Sequence, residues 1–222
     1  MYYRHNLEID LNQAAKELDK FRRKSLKLRL SNLELSFKDC DRSRFDELLS
    51  REELTRPLLA NALAIKGASS QINEIVHALG ILKSLPSILH ADEKVESLSL
   101  GAGNTGRPFD LETNLRIAEF KFIEWKGADA VRQDSIFKDF YELAEFPSGK
   151  NKFLYVVGID HPMKFLRGGR ACESVLSRHK KTWTHFSKEY AGRFPTVADY
   201  FGYRRDSVQI IDLGNLIPEM AS

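Results

Sequence analysis

The sequence predicts an α/β protein preceded by a mainly helical extension. The 222 residues are 42% hydrophobic and 29% charged, enough apolar material for a packed core. Apolar side chains recur at helical spacing over the first part of the chain, whereas strand-like runs alternate with helical stripes after it. We therefore expect an N-terminal extension over residues 1–66 and an α/β domain over residues 67–222.

Composition excludes several classes of protein. The two cysteines, Cys40 and Cys172, are far apart, which fits a reducing compartment and excludes a structural zinc site built on cysteine pairs. The first residues lack the apolar core of a signal peptide, and no apolar run approaches the roughly 18 residues that span a bilayer. A cytoplasmic protein without membrane contact is the expectation.

In the extension, the first helix follows from apolar residues between Leu11 and Phe21. Residues 26–37 fit either a helix or two short strands broken at Ser31-Asn32, and both alternatives stay open. Further helices are expected between Phe45 and Leu63, with a break near Arg56-Pro57 and an end around Gly67.

The second segment gives a clearer order of elements. Ser69-Ser70 can cap a helix whose apolar stripe runs from Ile72 to Leu85 and which Pro86 should bend or end. The elements expected after it are strands at 95–100, 108–113 and 116–125, a helix at 131–146, a buried strand at 153–157, a helix near 171–190 and a strand at 208–211. The order is α-β-β-β-α-β, followed by α and β.

A glycine-rich turn follows the first of these strands. Gly101, Gly103 and Gly106 satisfy G-x-G-x-x-G, which in dinucleotide-binding folds places a pyrophosphate at a helix N-terminus. Apolar residues after Gly106 also recur at helical spacing, so a nucleotide or S-adenosylmethionine cofactor site remains an alternative. Pro108 and the alternation from Ile117 favour a hairpin and a purely structural turn instead.

An acidic hairpin carries the strongest chemical signal. Glu119 and Lys121 are two residues apart on a strand and so share a face, and a hairpin can place Asp110 beside Glu119. Two adjacent carboxylates repel each other unless a hard divalent cation such as Mg²⁺ lies between them. Lysine beside such an ion can neutralise phosphoryl charge or orient a water. The alternative is an exposed hairpin whose charges are solvated or paired across strands.

The pattern Pro108-x-Asp110 followed by Glu119-x-Lys121 resembles the signature of the PD-(D/E)XK nuclease superfamily, the restriction-endonuclease-like fold. In this chain Phe109 separates the proline from the aspartate, a departure at the least demanding position. The resemblance covers about residues 70–160 and implies an αβββαβ core, with a mixed central sheet flanked by helices. It also implies a nuclease dependent on Mg²⁺ or Mn²⁺. The expected substrate is DNA in preference to RNA, and the expected biological context is restriction, repair or defence. Asp110, Glu119 and Lys121 would be catalytic, with the two carboxylates as metal ligands.

The resemblance also implies roles for three outlying residues. Glu74, early in the helix before the first strand, is a candidate third metal ligand. Gln133, on the helix after the third strand, could bind substrate, and Arg132 beside it could contact phosphate. Each of the three equally fits an ordinary surface residue.

Charge separates along the chain. Residues 164–205 contain ten lysines and arginines against three acids, a net charge of +7 that leaves −4 for the rest. Aromatic residues interleave with them, as on surfaces that track phosphates and stack bases. We select Lys180, Lys181, Arg204 and Arg205 as candidate phosphate contacts; a solvated basic face is the alternative. Nucleic acid is the expected partner, a homodimer is compatible, and a non-catalytic nucleic-acid-binding module of the same fold is the alternative to a nuclease.

Overall fold

The computed structural model describes residues 9–101, 106, 108–125 and 129–218. The chain divides into two compact units between Asn73 and Glu74, seven residues after the boundary predicted from sequence. None of the helices in the described part of the chain combines the length and apolarity needed to cross a bilayer.

The first unit is helical, as the sequence predicts. Its helices are α1 (Leu11–Arg22), α2 (Leu26–Phe37), α3 (Arg42–Arg51) and α4 (Arg56–Ser69). Each begins after a side chain that accepts hydrogen bonds from the first-turn N–H groups; these caps are Asp10, Ser25, Asp41 and Thr55. The Ser25 cap explains why the ambiguous segment 26–37 is a single helix.

The junction between α4 and the next helix differs from the sequence expectation. Helix α4 continues past Gly67, and the Ser70 hydroxyl donates to the Gly67 carbonyl oxygen at 2.6 Å. Ser69 and Ser70 therefore close α4 instead of capping the helix that follows, because their hydroxyls satisfy carbonyls at the end of α4. This longer α4 moves the unit boundary beyond residue 66.

The second unit contains the sheet. Its elements are α5 (Ile72–Ile88), β1 (Val95–Leu98), β2 (Leu111–Thr113), β3 (Arg116–Lys121), α6 (Ala130–Glu145), β4 (Asn151–Val156), α7 (Asp160–Leu166), α8 (Cys172–Leu176), α9 (Lys180–Tyr190), α10 (Val197–Arg204) and β5 (Gln209–Asp212). Single 3-10 turns, Arg205–Ser207 and Leu213–Asn215, flank β5. The order α5-β1-β2-β3-α6-β4 is the expected α-β-β-β-α-β.

Several boundaries differ from the predicted ones. Helix α5 ends at Ile88, two residues beyond Pro86. The strand expected at 116–125 ends at Lys121, and the strand expected at 108–113 begins at Leu111 because Pro108 to Asp110 form a bend. The helix expected near 171–190 is two helices, α8 and α9, and the sequence analysis did not predict α7 or α10.

The five strands form one mixed sheet in the order β1-β2-β3-β4-β5, which confirms the predicted α/β class. Strands β1, β2 and β3 are antiparallel, whereas β3, β4 and β5 are parallel. A parallel neighbour needs a long crossover, and α6 supplies it between β3 and β4.

Side chains of β3 alternate between two cores. Ile117 packs in the core that contains α6 and the helices after β4, whereas Ala118 and Phe120 pack in the core that contains Ile81 of α5. The approach of α5 depends on Gly80, because a Cβ at that position would lie 2.4 Å from the Phe122 ring. Glu119 and Lys121 share the Ile117 face, so they project toward α6 at the end of β3.

Candidate active site

A tight hairpin places Asp110 beside Glu119. Leu111 pairs with Ala118 in the β2–β3 ladder, and one step further along the same register Asp110 lies opposite Glu119. The Asp110 backbone N–H donates to Glu119 Oε2 at 3.3 Å, and the Phe120 backbone N–H donates to Asp110 Oδ2 at 3.0 Å. The hairpin thus brings the two carboxylates together, as the sequence spacing predicts.

Lys121 completes the predicted trio and adds a residue from α6. Its Nζ lies 3.3 Å from Glu119 Oε1 and 2.7 Å from Asp139 Oδ2. Asp139 is buried, and it also accepts a hydrogen bond from the Ser135 hydroxyl at 3.2 Å. The sequence analysis missed Asp139. The sequence does contain a signal for Asp139, because this acid lies three residues after Ile136 and so falls on the apolar stripe of α6.

Helix α5 contributes a histidine, which the sequence analysis also missed. His77 Nε2 lies 3.3 Å from Asp110 Oδ1, and its ring meets Phe122 edge-on with centroids 5.6 Å apart. Among the described contacts, none joins Glu74 to Asp110 or Glu119; Glu74 is exposed on α5, three residues before His77. In the described part of the chain, no three acid, histidine or cysteine side chains form a ready metal-binding group.

Burial and crowded negative charge set the electrostatics of the cluster. Burial, with further contributions from Asp139 and Asp110, raises the pKa of Glu119 to about 7 against the opposing effect of Lys121. Burial alone would lower the pKa of Lys121, but the charges of Asp139 and Glu119 outweigh it and raise that pKa. A hydrogen bond to Asp110 raises the pKa of His77.

The donor set fits a hard divalent cation. In the described contacts, the four carboxylate oxygens of Asp110 and Glu119 each have one partner, and each oxygen offers two lone pairs. Mg²⁺ commonly takes one or two protein carboxylates and keeps several waters. Burial, and after it the charges of Asp139 and Asp110, disfavours the charged form of Glu119, and a bound cation would stabilise that form. Asp110 and Glu119 are the residues that could hold it.

Three predicted substrate contacts have partners elsewhere in the fold. The Arg170 guanidinium donates to Gln133 Oε1, and Arg132 pairs with Asp129 at 2.6 Å. Arg204 lies 2.8 Å from Glu145. Each of these cations or amides already has a partner within the fold, and its contact with substrate stays a prediction.

The other predicted phosphate contacts are more accessible. Arg205 is exposed and lies 3.5 Å from its neighbour Asp206. Lys180 and Lys181 are exposed on α9, and neither makes an ion pair within the described residues. Of these predicted contacts, the two lysines are therefore the ones that can bind an external anion without breaking a described pair.

The glycine-rich turn lacks the context of a cofactor site. Gly101 and Gly106 have φ values of +84° and +69°, the left-handed backbone that glycine adopts readily. Gly103 lies outside the described residues. After Gly106 the next element is β2, so within the described residues no helix N-terminus follows the turn to receive a pyrophosphate.

Comparison with protein-family models, with curated proteins and with solved structures finds no match. The fold and the site together define an α/β protein with a mixed sheet and a cluster of three acids, a lysine and a histidine at the end of β3.

Proposed function

We propose that the protein is a metal-dependent nuclease that hydrolyses phosphodiester bonds, in DNA before RNA, within restriction, repair or defence. The observation that supports this most is the adjacency of Asp110 and Glu119 across the β2–β3 hairpin with Lys121 3.3 Å from Glu119. The α-β-β-β-α-β order around this trio is the one that the resemblance to PD-(D/E)XK nucleases implies.

Each side chain of the trio has a distinct task. Asp110 and Glu119 would hold Mg²⁺ or Mn²⁺, which when bound supplies hydroxide near neutral pH and neutralises phosphate charge. Lys121 directs its ammonium at a phosphate oxygen and so stabilises the charge that develops during cleavage. Glu119 must lose its proton to bind the cation, so the affinity for the metal should fall as the pH drops below about 7.

A non-catalytic nucleic-acid-binding module is the second candidate. The observation in its favour is the closed set of contacts within the cluster: Lys121 pairs with Asp139, and His77 contacts Asp110. In such a module these contacts would be structural, and the exposed lysines of α9 would supply the affinity.

The test is incubation of the purified protein with plasmid, linear duplex, single-stranded DNA and RNA, in Mg²⁺, Mn²⁺ or EDTA. We expect cleavage with either metal and none in EDTA. Asp110→Asn, Glu119→Gln and Lys121→Ala should each reduce the rate by at least about 100-fold. Glu112→Gln is the matched control, because Glu112 lies on the same hairpin and pairs with Lys150 at 2.8 Å.

Two outcomes would decide against the nuclease. Cleavage that persists in EDTA, or a trio variant that cleaves like the wild type, would remove the assignment. Nucleic-acid binding without cleavage under every metal condition would favour the binding module.

A further inference from the structure

A cleft of about 400 Å³ is lined by residues from the segment before β2, from α6 and from α9. Its lining includes Pro108 and Phe109, the two residues that directly precede Asp110. Helix α9 contributes Lys181 and His185, among others. A molecule in this cleft would therefore contact both α9 and the segment that leads into Asp110.

The floor of the cleft is aromatic. The Phe109 and Phe146 rings meet edge to face, with centroids 4.9 Å apart and planes at 90°. Tyr141 adds a third ring, whose hydroxyl is fixed by a 2.5 Å hydrogen bond with His185 Nδ1. Phe109 and Tyr141 are only 7% and 2% exposed, so the half-buried Phe146 is the ring of this floor that can stack on a base, and such stacking does not select the sequence.

Among the described residues that line the cleft, the charged group without an ion-pair partner is positive. Two acids also line it, but both are already bound: Glu142 accepts from Thr182 at 2.8 Å and from Lys138 at 2.7 Å, and Glu145 accepts from Tyr200 at 2.7 Å. Lys181 makes no ion pair within the described residues. An anion entering the cleft therefore meets an uncompensated ammonium group.

A second depression continues the cleft along α9. It has a volume of about 440 Å³ and shares Lys181 and His185 with the first. It extends to Lys188, one helical turn beyond Thr184 on the same face, since positions three, four and seven apart align on a helix. The result is a cleft with an aromatic lining that continues into a row of lysines on α9.

We propose that a single strand of nucleic acid lies along this track, with one unpaired base in the aromatic cleft and phosphates on Lys181 and Lys188. The cleft is near the small end of the roughly 300–1,000 Å³ typical of ligand pockets, which suits one nucleotide. Bases in a duplex are stacked inside the helix, so only an unpaired or extruded base reaches such a floor. This inference rests on the proposed function and names its substrate: single-stranded or locally unpaired nucleic acid.

The test measures binding in EDTA, where cleavage is blocked. Fluorescence anisotropy compares a labelled single-stranded oligonucleotide with the blunt duplex of the same sequence, across a salt series. We expect the wild type to bind the single strand at least 10-fold more tightly. The Lys181→Ala/Lys188→Ala variant should bind the single strand about 10-fold more weakly, and its log–log salt slope should flatten by about 0.7 for each phosphate that it no longer binds.

The matched control is Lys83→Ala, because Lys83 is an exposed lysine on α5 without an ion pair among the described residues. Phe146→Ala probes the cleft floor: affinity should fall at unchanged salt slope, and an oligonucleotide carrying 2-aminopurine should lose its stacking-dependent quenching. Since Phe146 also packs on Phe109, His185→Ala provides an exposed second variant at the same cleft.

The inference fails if duplex and single strand bind equally, or if the double lysine variant binds like the Lys83 control. If cleavage depends on Asp110, Glu119 and Lys121 but these cleft and lysine variants bind normally, the proposed binding track is wrong and the nuclease assignment stands. If binding depends on the cleft and the lysines but no metal-dependent cleavage occurs, the nuclease assignment is wrong and the proposed binding track stands. Absence of all nucleic-acid binding would remove both.

Discussion

Lys121 lies closer to Asp139 than to Glu119, at 2.7 Å against 3.3 Å. The lysine of the proposed site is therefore fixed by a helix that supplies none of the predicted metal ligands. Asp139 acts on the site in two ways: it holds the ammonium of Lys121, and its charge contributes to the raised pKa of Glu119.

Replacing Asp139 with asparagine should lower the pKa of Glu119 below about 7. Burial persists in the variant, but one nearby negative charge is gone and Lys121 is free to move toward Glu119. Titration of the glutamate carboxyl carbons by NMR, with Glu119→Gln used for assignment, measures the change. Asp92→Asn, at an exposed position, is the control. An unchanged titration of Glu119 would show that Asp139 has no electrostatic effect on the site.

Glu119 should also make stability depend on pH in metal-free buffer. Between about 4.5 and about 7 the folded protein holds the Glu119 proton more tightly than the unfolded chain does. Raising the pH through this range therefore favours unfolding, by roughly 1–3 kcal/mol. Urea denaturation at pH 5 and pH 8 should show that fall in the wild type and a smaller one in Glu119→Gln. Equal pH dependence in both proteins would contradict the buried, protonated carboxyl.

The buried pair between Glu93 and Arg116 should be costly to break. Arg116 Nε lies 2.5 Å from Glu93 Oε1, and the two side chains are 6% and 0% exposed. Glu93→Gln should lower the free energy of unfolding by about 3–5 kcal/mol, because a buried guanidinium loses its partner. Glu96→Gln, whose exposed pair with Lys150 spans 2.6 Å, should cost less than about 1 kcal/mol.

The same pair predicts acid sensitivity. Burial opposes ionisation of Glu93, but hydrogen bonds from Arg116 and Thr113 lower its pKa to about 2. The unfolded chain takes up this proton near pH 4.5, so the stabilisation is present above that value and is lost as the pH falls toward 2. Denaturation curves at pH 3 and pH 6 should differ more for the wild type than for Glu93→Gln.

Two helical glycines should respond oppositely to alanine. Gly67 in α4 has open space where a Cβ would lie, so Gly67→Ala should stabilise by about 0.5–1 kcal/mol through helix propensity. A Cβ on Gly80 would lie 2.4 Å from the Phe122 ring, so Gly80→Ala should destabilise by about 1–3 kcal/mol despite the same propensity gain. Thermal or urea unfolding compares the two, and Phe122→Leu should partly restore Gly80→Ala. Equal stabilisation by both substitutions would show that α5 shifts without cost.

Patterns within short stretches of sequence account for the parts of the fold and of the candidate site that the sequence predicted. The position of Asp110 opposite Glu119 follows from the period of two on strands and a short hairpin, and both are visible within a dozen residues. The Thr113 hydroxyl accepts from the Arg116 backbone N–H at 2.9 Å, which fixes that hairpin. The α-β-β-β-α-β order follows from the same local periodicities.

The parts of the candidate site that were not predicted depend on contacts between elements that are far apart in the sequence. The contacts of His77 with Asp110 and of Asp139 with Lys121 depend on how α5 and α6 dock, and helical periodicity identifies a buried face without identifying its partner. The same limit applies to Arg204, which was expected to bind phosphate but pairs with Glu145. A charge count cannot distinguish a free cation from one held by a neighbour.

The hairpin between β2 and β3 has a consequence for how the chain folds. Asp110 and Glu119 are nine residues apart, so a single small loop closure brings them together, whereas Lys121 reaches Asp139 only after α6 has docked. Short loops close with little entropy loss and early in folding. The acidic pair should therefore form in the nascent chain before its lysine is fixed in place. A divalent cation captured at that stage would act as a folding nucleus, joining two strands whose charges otherwise resist pairing.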